Sequence, residues 1–356
     1  MRALGFAPIV ALAVLGLGAC DRSAGAGKTD ASSAERIAAA LDVCAEGRGA
    51  FAEHLCANRA LLALSGAVNE TLIAEAAEVS DAGARLLVQN QNRWLEAQRV
   101  ACGVRDSDAA PDAGQQACLE SELRARARDA HGAVQDIGGY TFQRMELIDA
   151  TPVTAEVAEA SGLGEAAPFA ITREIRFPRI DGAQTDEIQR FNALVAQEPQ
   201  FRLEDATNEI IDYRIVFAGP ELVSVRFDMS ADTLGAAHPN GASRAVTVLM
   251  GEGRALTEAD VFQPNSGWQR FVTVRAVREI ARQYRDDGFA PPERDVQETA
   301  TKAHLWLITE QGLTMLFPPY SFGAPYVMGG TEVTISWAEL RPYLNPAAPA
   351  PIRPMA

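Results

Sequence analysis

Histidine is the residue in this sequence with the widest scope for catalysis, and there are four: His54, His131, His238 and His304. A hydrolytic zinc site takes three protein ligands in a compact pattern, and the sequence contains neither H-E-x-x-H nor H-x-x-x-H. His238 could complete a triad with Asp228 or Asp232 and a serine, but no G-x-S-x-G turn is present to expose a nucleophile. We therefore expect no enzymatic activity, no metal and no cofactor, and we expect His238 to stabilise a turn.

The first twenty residues indicate export. Arg2 precedes an apolar run from Ala3 to Leu17, which is typical of a secretory signal and too short for a transmembrane helix. The run ends in Leu17-Gly18-Ala19-Cys20, which resembles the lipobox of bacterial lipoproteins. That resemblance implies a diacylated Cys20 at the mature N-terminus, with the chain held by lipid on the periplasmic side of the inner or outer membrane. The alternative is an ordinary signal peptide with an incidental cysteine.

The other four cysteines lie close together in the first half of the chain: Cys44, Cys56, Cys102 and Cys118. An even number in an exported domain predicts two disulfides, and the absence of C-x-x-C spacing argues against a metal site. Four cysteines allow three pairings, among which sequence does not decide. Pairing Cys44 with Cys56 and Cys102 with Cys118 is favoured because each bond closes a short local loop.

Changes in composition and periodicity divide the chain. Residues 21–34 are small and polar, and residues 150–167 are rich in Ala, Glu and Gly, which is typical of connecting segments. We expect a signal peptide (1–19), a flexible tether (20–34), a helical domain (35–134), a linker (135–167), an α+β domain (168–345) and a loose tail (346–356).

The helical prediction rests on apolar residues at steps of three and four. These are Leu61, Leu64, Val68, Leu72, Ala76, Val79, Leu86 and Leu87. They predict one long amphipathic helix that reaches about Trp94. A second helix is predicted to begin near Cys118 and run towards Val134, after a loop from Gly103 to Gly114.

From Phe169 onward the apolar residues alternate, which is the strand period. The segments 211–217 and 223–229 predict a hairpin around Ala218-Gly219-Pro220. Further strands are predicted at 303–309, 313–317 and 332–337, and an amphipathic helix at 267–284. The predicted fold class is α+β: a disulfide-bonded helical domain, then a domain with an antiparallel sheet and a packed helix.

Charge narrows the range of partners. The chain carries 47 acidic and 32 basic residues, a formal net charge of −15 at pH 7. Nucleic acid is therefore not expected as the main partner, because phosphate binding needs a basic surface. A basic partner suits this charge.

The first half resembles the LprI-like (DUF1311-type) lysozyme-inhibitor domain. The resemblance is carried by Gln91-x-x-Trp94-Leu95-x-x-x-Arg99-x-x-Cys102, set between Leu55-Cys56-Ala57 and Cys118-Leu119. The loop before Cys118 is longer than the family pattern. The resemblance implies a role in resisting lysozyme, while Trp94 is expected in the core and Arg99 at the surface or capping a helix.

The second half resembles the DUF3298 family, the RsiV-like C-terminal domain. The matching segments are Leu222 to Phe227, Ala237-His238-Pro239-Asn240, Gly253 to Thr257, Phe317-x-x-Tyr320, Gly323-Ala324-Pro325-Tyr326 and Val333-x-Ile335-x-Trp337. The family favours Gly-Gly-x-His-Pro, where this chain has Gly235-Ala236-Ala237-His238-Pro239. The RsiV branch of the family binds lysozyme, so the resemblance implies lysozyme binding.

Both resemblances imply the same ligand. We expect a lipid-anchored envelope protein that binds and inhibits lysozyme or a related muramidase by covering its cleft. The candidate contacts are Tyr320, Ser321 and Tyr326 in the loop from Pro318 to Met328, with His238 as a further candidate. Two alternatives stay open: the loop packs within its own domain, or the protein is a non-inhibitory scaffold or sensor for peptidoglycan or an envelope protein.

Overall fold

The computed structural model describes residues 31–107, 109–197 and 206–353. The expected signal peptide, the acylation site Cys20 and the tether up to residue 30 lie outside these ranges. None of the described helices has the length and apolar character needed to cross a membrane. The described chain is α+β, as predicted, with helices first and a sheet-rich region after them.

Five helices form the first region: α1 (Ala31–Leu41), α2 (Ala50–Ala57), α3 (Arg59–Ala76), α4 (Asp81–Ala101) and α5 (Ala113–Asp129). The single long helix expected to reach Trp94 is wrong, because α3 and α4 are separate. Ser80 begins α4 by accepting a hydrogen bond from the amide of Gly83, 3.1 Å away. Asp181 accepts bonds from the amide and hydroxyl of Ser80, so a distant carboxylate fixes this break.

The two disulfides join Cys44 to Cys56 and Cys102 to Cys118, the favoured pairing. Their Cα atoms are 5.3 and 5.7 Å apart. The first bond ties the segment after α1 to α2, and the second ties the end of α4 to α5. They hold these helices around an apolar cluster that includes Leu55, Leu61 and Trp94.

Seven strands form the main sheet, in chain order. They are β1 (Val134–Ile137), β2 (Tyr140–Pro152), β3 (Ala170–Ile180), β4 (Thr207–Ala218), β5 (Leu222–Thr233), β6 (Asn240–Leu249) and β7 (Arg254–Ala255). Neighbouring strands are antiparallel except β3 and β4, which are parallel and are connected through α7 (Asp186–Gln197). Helix α7 contributes its buried residues Phe191 and Val195 to an apolar cluster with the sheet.

The linker expected at 135–167 is not what the structure shows. The segment holds most of β1, all thirteen residues of β2 and the short helix α6 (Ala155–Ala160). Strand β2 pairs with β3 from Phe142 to Pro152. Its buried positions include the polar residues Gln143, Arg144 and Glu146. Because of them, the strand does not show the alternation of apolar and polar residues that predicts a strand.

A buried group of charged and polar side chains joins the helices to this sheet. Arg126 on α5 donates two hydrogen bonds to the Glu146 carboxylate on β2, at 2.9 and 2.8 Å, and a third to Gln91 on α4. The guanidinium also lies over the ring of Trp94, 5.3 Å from its centroid. Arg144 donates to the same carboxylate. We call Gln91, Trp94, Arg126, Arg144 and Glu146 the interface cluster.

Glu146 is charged in this setting although it is buried. Burial alone would raise its pKa, but the charge and hydrogen bonds of Arg126 and the charges of Arg144 and Arg176 lower the pKa to about 2. The interface cluster also explains the motif of the first half, because Gln91 and Trp94 both contact Arg126. Arg99 bonds the carbonyl of Val104 after α4, a capping contact as expected.

The C-terminal region is built on helices α8 (Glu258–Val261), α9 (Trp268–Gln283), α10 (Glu293–Ala300) and α11 (Trp337–Leu340). A three-stranded antiparallel sheet lies among them, with β9 (Gly312–Phe317) between β8 (Trp306–Ile308) and β10 (Thr331–Ser336). The loose tail expected at 346–356 is wrong for residues 346–353. Ala348 and Ile352 are buried in the same apolar cluster as α9, and Arg353 pairs with Glu221.

Candidate functional site

Two loops of the second half bring three of the predicted site residues together. The turn between β5 and β6 carries His238, and the loop between β9 and β10 carries Tyr320 and Tyr326. The rings of His238 and Tyr326 are stacked, with centroids 4.2 Å apart and planes 13° apart. The ring of Tyr320 lies 5.7 Å from that of Tyr326. Residues far apart in sequence therefore form one continuous group of rings.

This group of rings faces solvent. Tyr320 is 58% exposed, and Val327, next to Tyr326, is 90% exposed. His238 is also exposed, and Tyr326 is half-buried between its two ring neighbours. We call His238, Tyr320, Tyr326 and Val327 the exposed patch. A contiguous group of exposed rings and apolar side chains makes this surface the candidate site of interaction.

A buried anchor holds the loop under the exposed patch. Phe322 is fully buried and its ring contacts those of Tyr284, Phe289 and Phe317, at centroid distances of 5.7, 5.9 and 6.2 Å. The Thr299 hydroxyl on α10 donates to the carbonyl of Ser321 at 2.7 Å. The loop is thus fixed at its centre, while the rings on either side of Phe322 stay at the surface.

Ser321 is placed differently from the other candidates. Its hydroxyl donates to the carbonyl of Pro318 at 2.7 Å, and its amide donates to the same carbonyl at 3.1 Å. Gly323 follows with φ at +79°, where an added Cβ would lie 2.9 Å from the Pro292 side chain. These contacts shape the turn, so the geometry gives Ser321 a role in holding the loop rather than in contacting a partner.

Tyr320 adopts a strained backbone conformation. Its φ is +68°, in the left-handed region that bulky residues avoid. Such a conformation costs about 1–3 kcal/mol and concentrates at functional positions. A glycine would take this position without strain. The side chain that makes the position costly is also one of the exposed rings.

The turn that carries His238 accommodates Ala236, which stands where the family pattern has a second glycine. Gly235 has φ at +80°, and a Cβ there would meet the carbonyl oxygen of Ser161 at 2.2 Å. Among the described residues with side chains beyond glycine, positive φ occurs only at Asn265 and Tyr320, so Ala236 lies in an ordinary region. The turn therefore needs its first glycine and tolerates alanine at the second position.

The bonds of His238 and Asp228 do not form a catalytic triad. Nδ1 of His238 lies 3.0 Å from the carbonyl oxygen of Pro239. The Asp228 carboxylate accepts bonds from Arg226 and from the Ser243 hydroxyl. Arg226 also pairs with Glu332 on β10, so an ion pair joins the two sheets. No group of three or more potential metal ligands is present in the part of the chain that the structure describes.

Val327 is the member of the exposed patch that the sequence did not single out. It lies in a short 3-10 turn, Tyr326–Met328, whose neighbours on both sides are packed. Met328 contacts the apolar cluster of α9, and its carbonyl accepts a bond from Tyr284. A single valine in this loop carries no periodic signal, so only the folded loop shows that it faces outward.

Comparisons with known proteins bear on the second half of the chain. Residues 259–338 match the family model described as "Protein of unknown function (DUF3298)". This range includes Tyr320, Tyr326 and Val327 but not His238. The expected resemblance to DUF3298 is confirmed for this range, and the LprI-like resemblance of the first half stays a prediction. No curated protein matches the chain.

Two solved structures of DUF3298 proteins resemble the chain weakly. One is a family member from Bacteroides fragilis, with 12% identity and a TM-score of 0.42, covering 59% of this chain and 96% of that one. The other is from Pseudomonas aeruginosa, with 15% identity and a TM-score of 0.41, covering 61% of this chain and 98% of that one. Neither description assigns an activity, so function has to be inferred from the geometry of the site.

Proposed function

We propose that this protein binds lysozyme or a related muramidase through the exposed patch and blocks the enzyme's cleft. The observation that carries the proposal is the stacking of His238 and Tyr326 beside the exposed Tyr320 and Val327. Tyrosine is enriched at the energetic centres of protein interfaces because its ring is apolar and its hydroxyl is polar. The buried anchor at Phe322 holds these rings in place before a partner arrives, which lowers the entropy cost of binding.

Polar groups in the exposed patch suit a cleft that contains carboxylates. The hydroxyls of Tyr320 and Tyr326 have no hydrogen-bond partner among the described residues, so both can donate to a ligand. Nε2 of His238 is likewise without a partner in that part of the chain. Because Nδ1 of His238 faces the Pro239 carbonyl and donates to it, Nε2 of the neutral ring is an acceptor, so the donors offered to a carboxylate are the two tyrosine hydroxyls. A loop that enters the cleft with these hydroxyls would occupy the position of the glycan substrate. Inhibition then follows from occlusion and needs no chemistry from this chain.

The charge of the chain supports a basic partner. With a net charge of −15, the protein would attract a cationic lysozyme over several ångströms and speed its association. Salt screens such steering, with a Debye length of about 8 Å at physiological ionic strength. We therefore expect the association rate to fall as salt rises, while the dissociation rate, set by contacts of the exposed patch, changes little.

The proposal places the protein in the bacterial envelope. Lipid attachment at Cys20 would hold it on the periplasmic side of a membrane, where a lysozyme that attacks the cell wall arrives. The LprI-like pattern of the first half implies the same ligand as the RsiV-like pattern of the second. Agreement between two unrelated resemblances supports a lysozyme ligand more than either resemblance does alone.

The test is a titration of the protein into a c-type lysozyme, read by calorimetry and by a cell-wall lysis assay. The protein lacking residues 1–30 is suitable, because all four apolar clusters and both disulfides lie within residues 37–352. We expect saturable binding and slower lysis. No binding and unchanged lysis at a large molar excess would refute the proposal. Binding with unchanged lysis would refute inhibition and favour the scaffold or sensor alternative.

A further inference from the structure

Helix α9 carries a basic outer face in a chain that is acidic overall. Its inner side is buried through Trp268, Val272, Ala276 and Ile280. On the outer side, Arg270, Val274 and Arg278 follow one another at steps of four, so they lie along one line of the helix. All three are exposed, Val274 to 42%. We call Arg270, Phe271, Val274, Arg278 and Tyr343 the α9 face.

The two arginines on this line are free of acidic partners. Among the described residues, neither Arg270 nor Arg278 has a carboxylate within ion-pair distance. The neighbouring Arg275 pairs with Glu339 at 3.1 Å, and Arg282 pairs with Glu279. The charge of Arg270 and Arg278 is therefore not neutralised locally, and the two Cα atoms are separated by about 12 Å of helix.

A shallow groove on the same side adds an apolar component. It has a volume of about 410 Å³ and is lined by the α9 face together with Gly267 and Arg275. The rings of Phe271 and Tyr343 stack along it, with centroids 4.6 Å apart. No acidic residue lines the groove. Beyond the helix, the exposed Asp286 and Asp287 mark the end of the basic surface.

We propose that the α9 face binds the surface of a membrane that contains anionic phospholipids. Arginines attract the headgroups, and the exposed valine and the tyrosine ring lie at the boundary between headgroups and acyl chains. A hydrated polyanion such as nucleic acid would use the arginines but gain little from Val274 and the aromatic pair. The net negative charge elsewhere does not prevent this contact, because it is screened beyond about 8 Å at physiological salt.

Binding to this surface would orient the protein on the bilayer. It requires no lipid on the chain itself, so it can be measured on the protein lacking residues 1–30 and does not depend on acylation at Cys20. It is also independent of lysozyme binding, because none of the residues on the α9 face belongs to the exposed patch. A result that refutes one proposal therefore does not refute the other.

The experiment is co-sedimentation with vesicles of phosphatidylglycerol and phosphatidylcholine in equal parts, against vesicles of phosphatidylcholine alone. We expect binding to the anionic vesicles only, and weaker binding at high salt. The double variant R270Q/R278Q should bind about 30-fold more weakly, since each arginine near an anionic surface contributes about fivefold. The control R59Q/R85Q removes two exposed arginines from α3 and α4 and should bind like the original protein.

Three results would overturn the proposal. The first is no binding to the anionic vesicles at low salt. The second is equal loss in R270Q/R278Q and R59Q/R85Q, which would mean that net charge alone is sensed. The third is tighter binding to a labelled DNA duplex than to the vesicles, which would point to a general polyanion site. The thermal midpoints of both variants should match the original, because all four arginines are exposed.

Discussion

The interface cluster and the exposed patch use aromatic and polar side chains in opposite ways. In the interface cluster, Arg126 directs three hydrogen bonds at Glu146 and Gln91 and stacks on Trp94, and nearly all of this is buried. In the exposed patch, the rings of His238, Tyr320 and Tyr326 touch one another while their polar atoms remain largely unused. The polar groups of the interface cluster have their hydrogen-bond partners within the fold. The polar atoms of the exposed patch remain available to a ligand.

The comparison separates stability from recognition. A buried carboxylate that loses its guanidinium, or the reverse, leaves a charge that water cannot reach, so the interface cluster should govern folding. The exposed patch rests on Phe322 and can lose a surface ring without opening the core. Changes in the first should therefore alter the free energy of unfolding, and changes in the second should alter binding.

Removal of Glu146 should have the largest effect. Glu146→Ala removes the buried carboxylate that Arg126 and Arg144 share and leaves them paired only with the more exposed Asp129, and we expect a loss of about 3–5 kcal/mol in the free energy of unfolding. Denaturant unfolding measures this. The control is Glu298→Ala on α10, which removes an exposed pair with Arg294 and should cost under about 1 kcal/mol. Equal losses in the two variants would show that the interface cluster does not hold the two regions together.

Acid should weaken the same contact. The folded-state pKa of Glu146 is about 2, below the ordinary value of 4.5, so its contribution is complete above pH 4.5 and is lost as pH falls towards 2. The shift corresponds to about 3 kcal/mol. Unfolding measured from pH 6 downward should show this loss in the original protein and a flatter profile in Glu146→Gln. The same slope in both proteins would contradict the assignment.

Removal of a central ring from the exposed patch should weaken lysozyme binding with little effect on folding. Tyr326 contacts both other rings, so Tyr326→Ala should cost about 2 kcal/mol of binding free energy, or roughly 30-fold in affinity. Calorimetric titration measures it. Phe169→Ala is the matched control, because Phe169 is 62% exposed but directly precedes β3, in a different part of the chain. An equal loss in the control would argue against a specific site.

The smallest effect concerns the strain at Tyr320. Tyr320→Gly and Tyr320→Ala both remove the ring and should weaken lysozyme binding to a similar extent. Only glycine relieves the positive φ, so the glycine variant should be about 1 kcal/mol more stable than the alanine variant. Thermal unfolding of the pair measures the difference. If the alanine variant proved the more stable, the strained conformation of Tyr320 would be ruled out.

Sequence reasoning succeeded where the signal was local. The hairpin of β4 and β5 follows from alternation around Gly219, and the disulfide pairing is the one that short local loops favoured. It failed where the bounds of an element depend on residues far away in the sequence. The predicted boundaries put β2 in a linker, because its buried Arg144 and Glu146 pair with each other and with Arg126 and Asp129 of α5. The break before α4 depends in the same way on Asp181, a hundred residues further along the chain.

The candidate site shows the same division. Tyr320 and Tyr326 could be selected from a family-like loop, and His238 from a turn, but their stacking depends on how the two sheets approach each other. Arg226 on β5 contributes to that approach by pairing with Glu332 on β10. No sequence pattern of strands predicts an ion pair between sheets, so the exposed patch is a property of the folded chain.

The most direct test of the central claim is hydrogen–deuterium exchange of the protein lacking residues 1–30, with and without saturating c-type lysozyme. If the exposed patch is the binding site, amide exchange should slow at residues 318–330 and 234–240 and stay unchanged in α2, α3 and the α9 face. Protection confined to the helical region, with no change at residues 318–330, would contradict the account and place the contact in the first half of the chain.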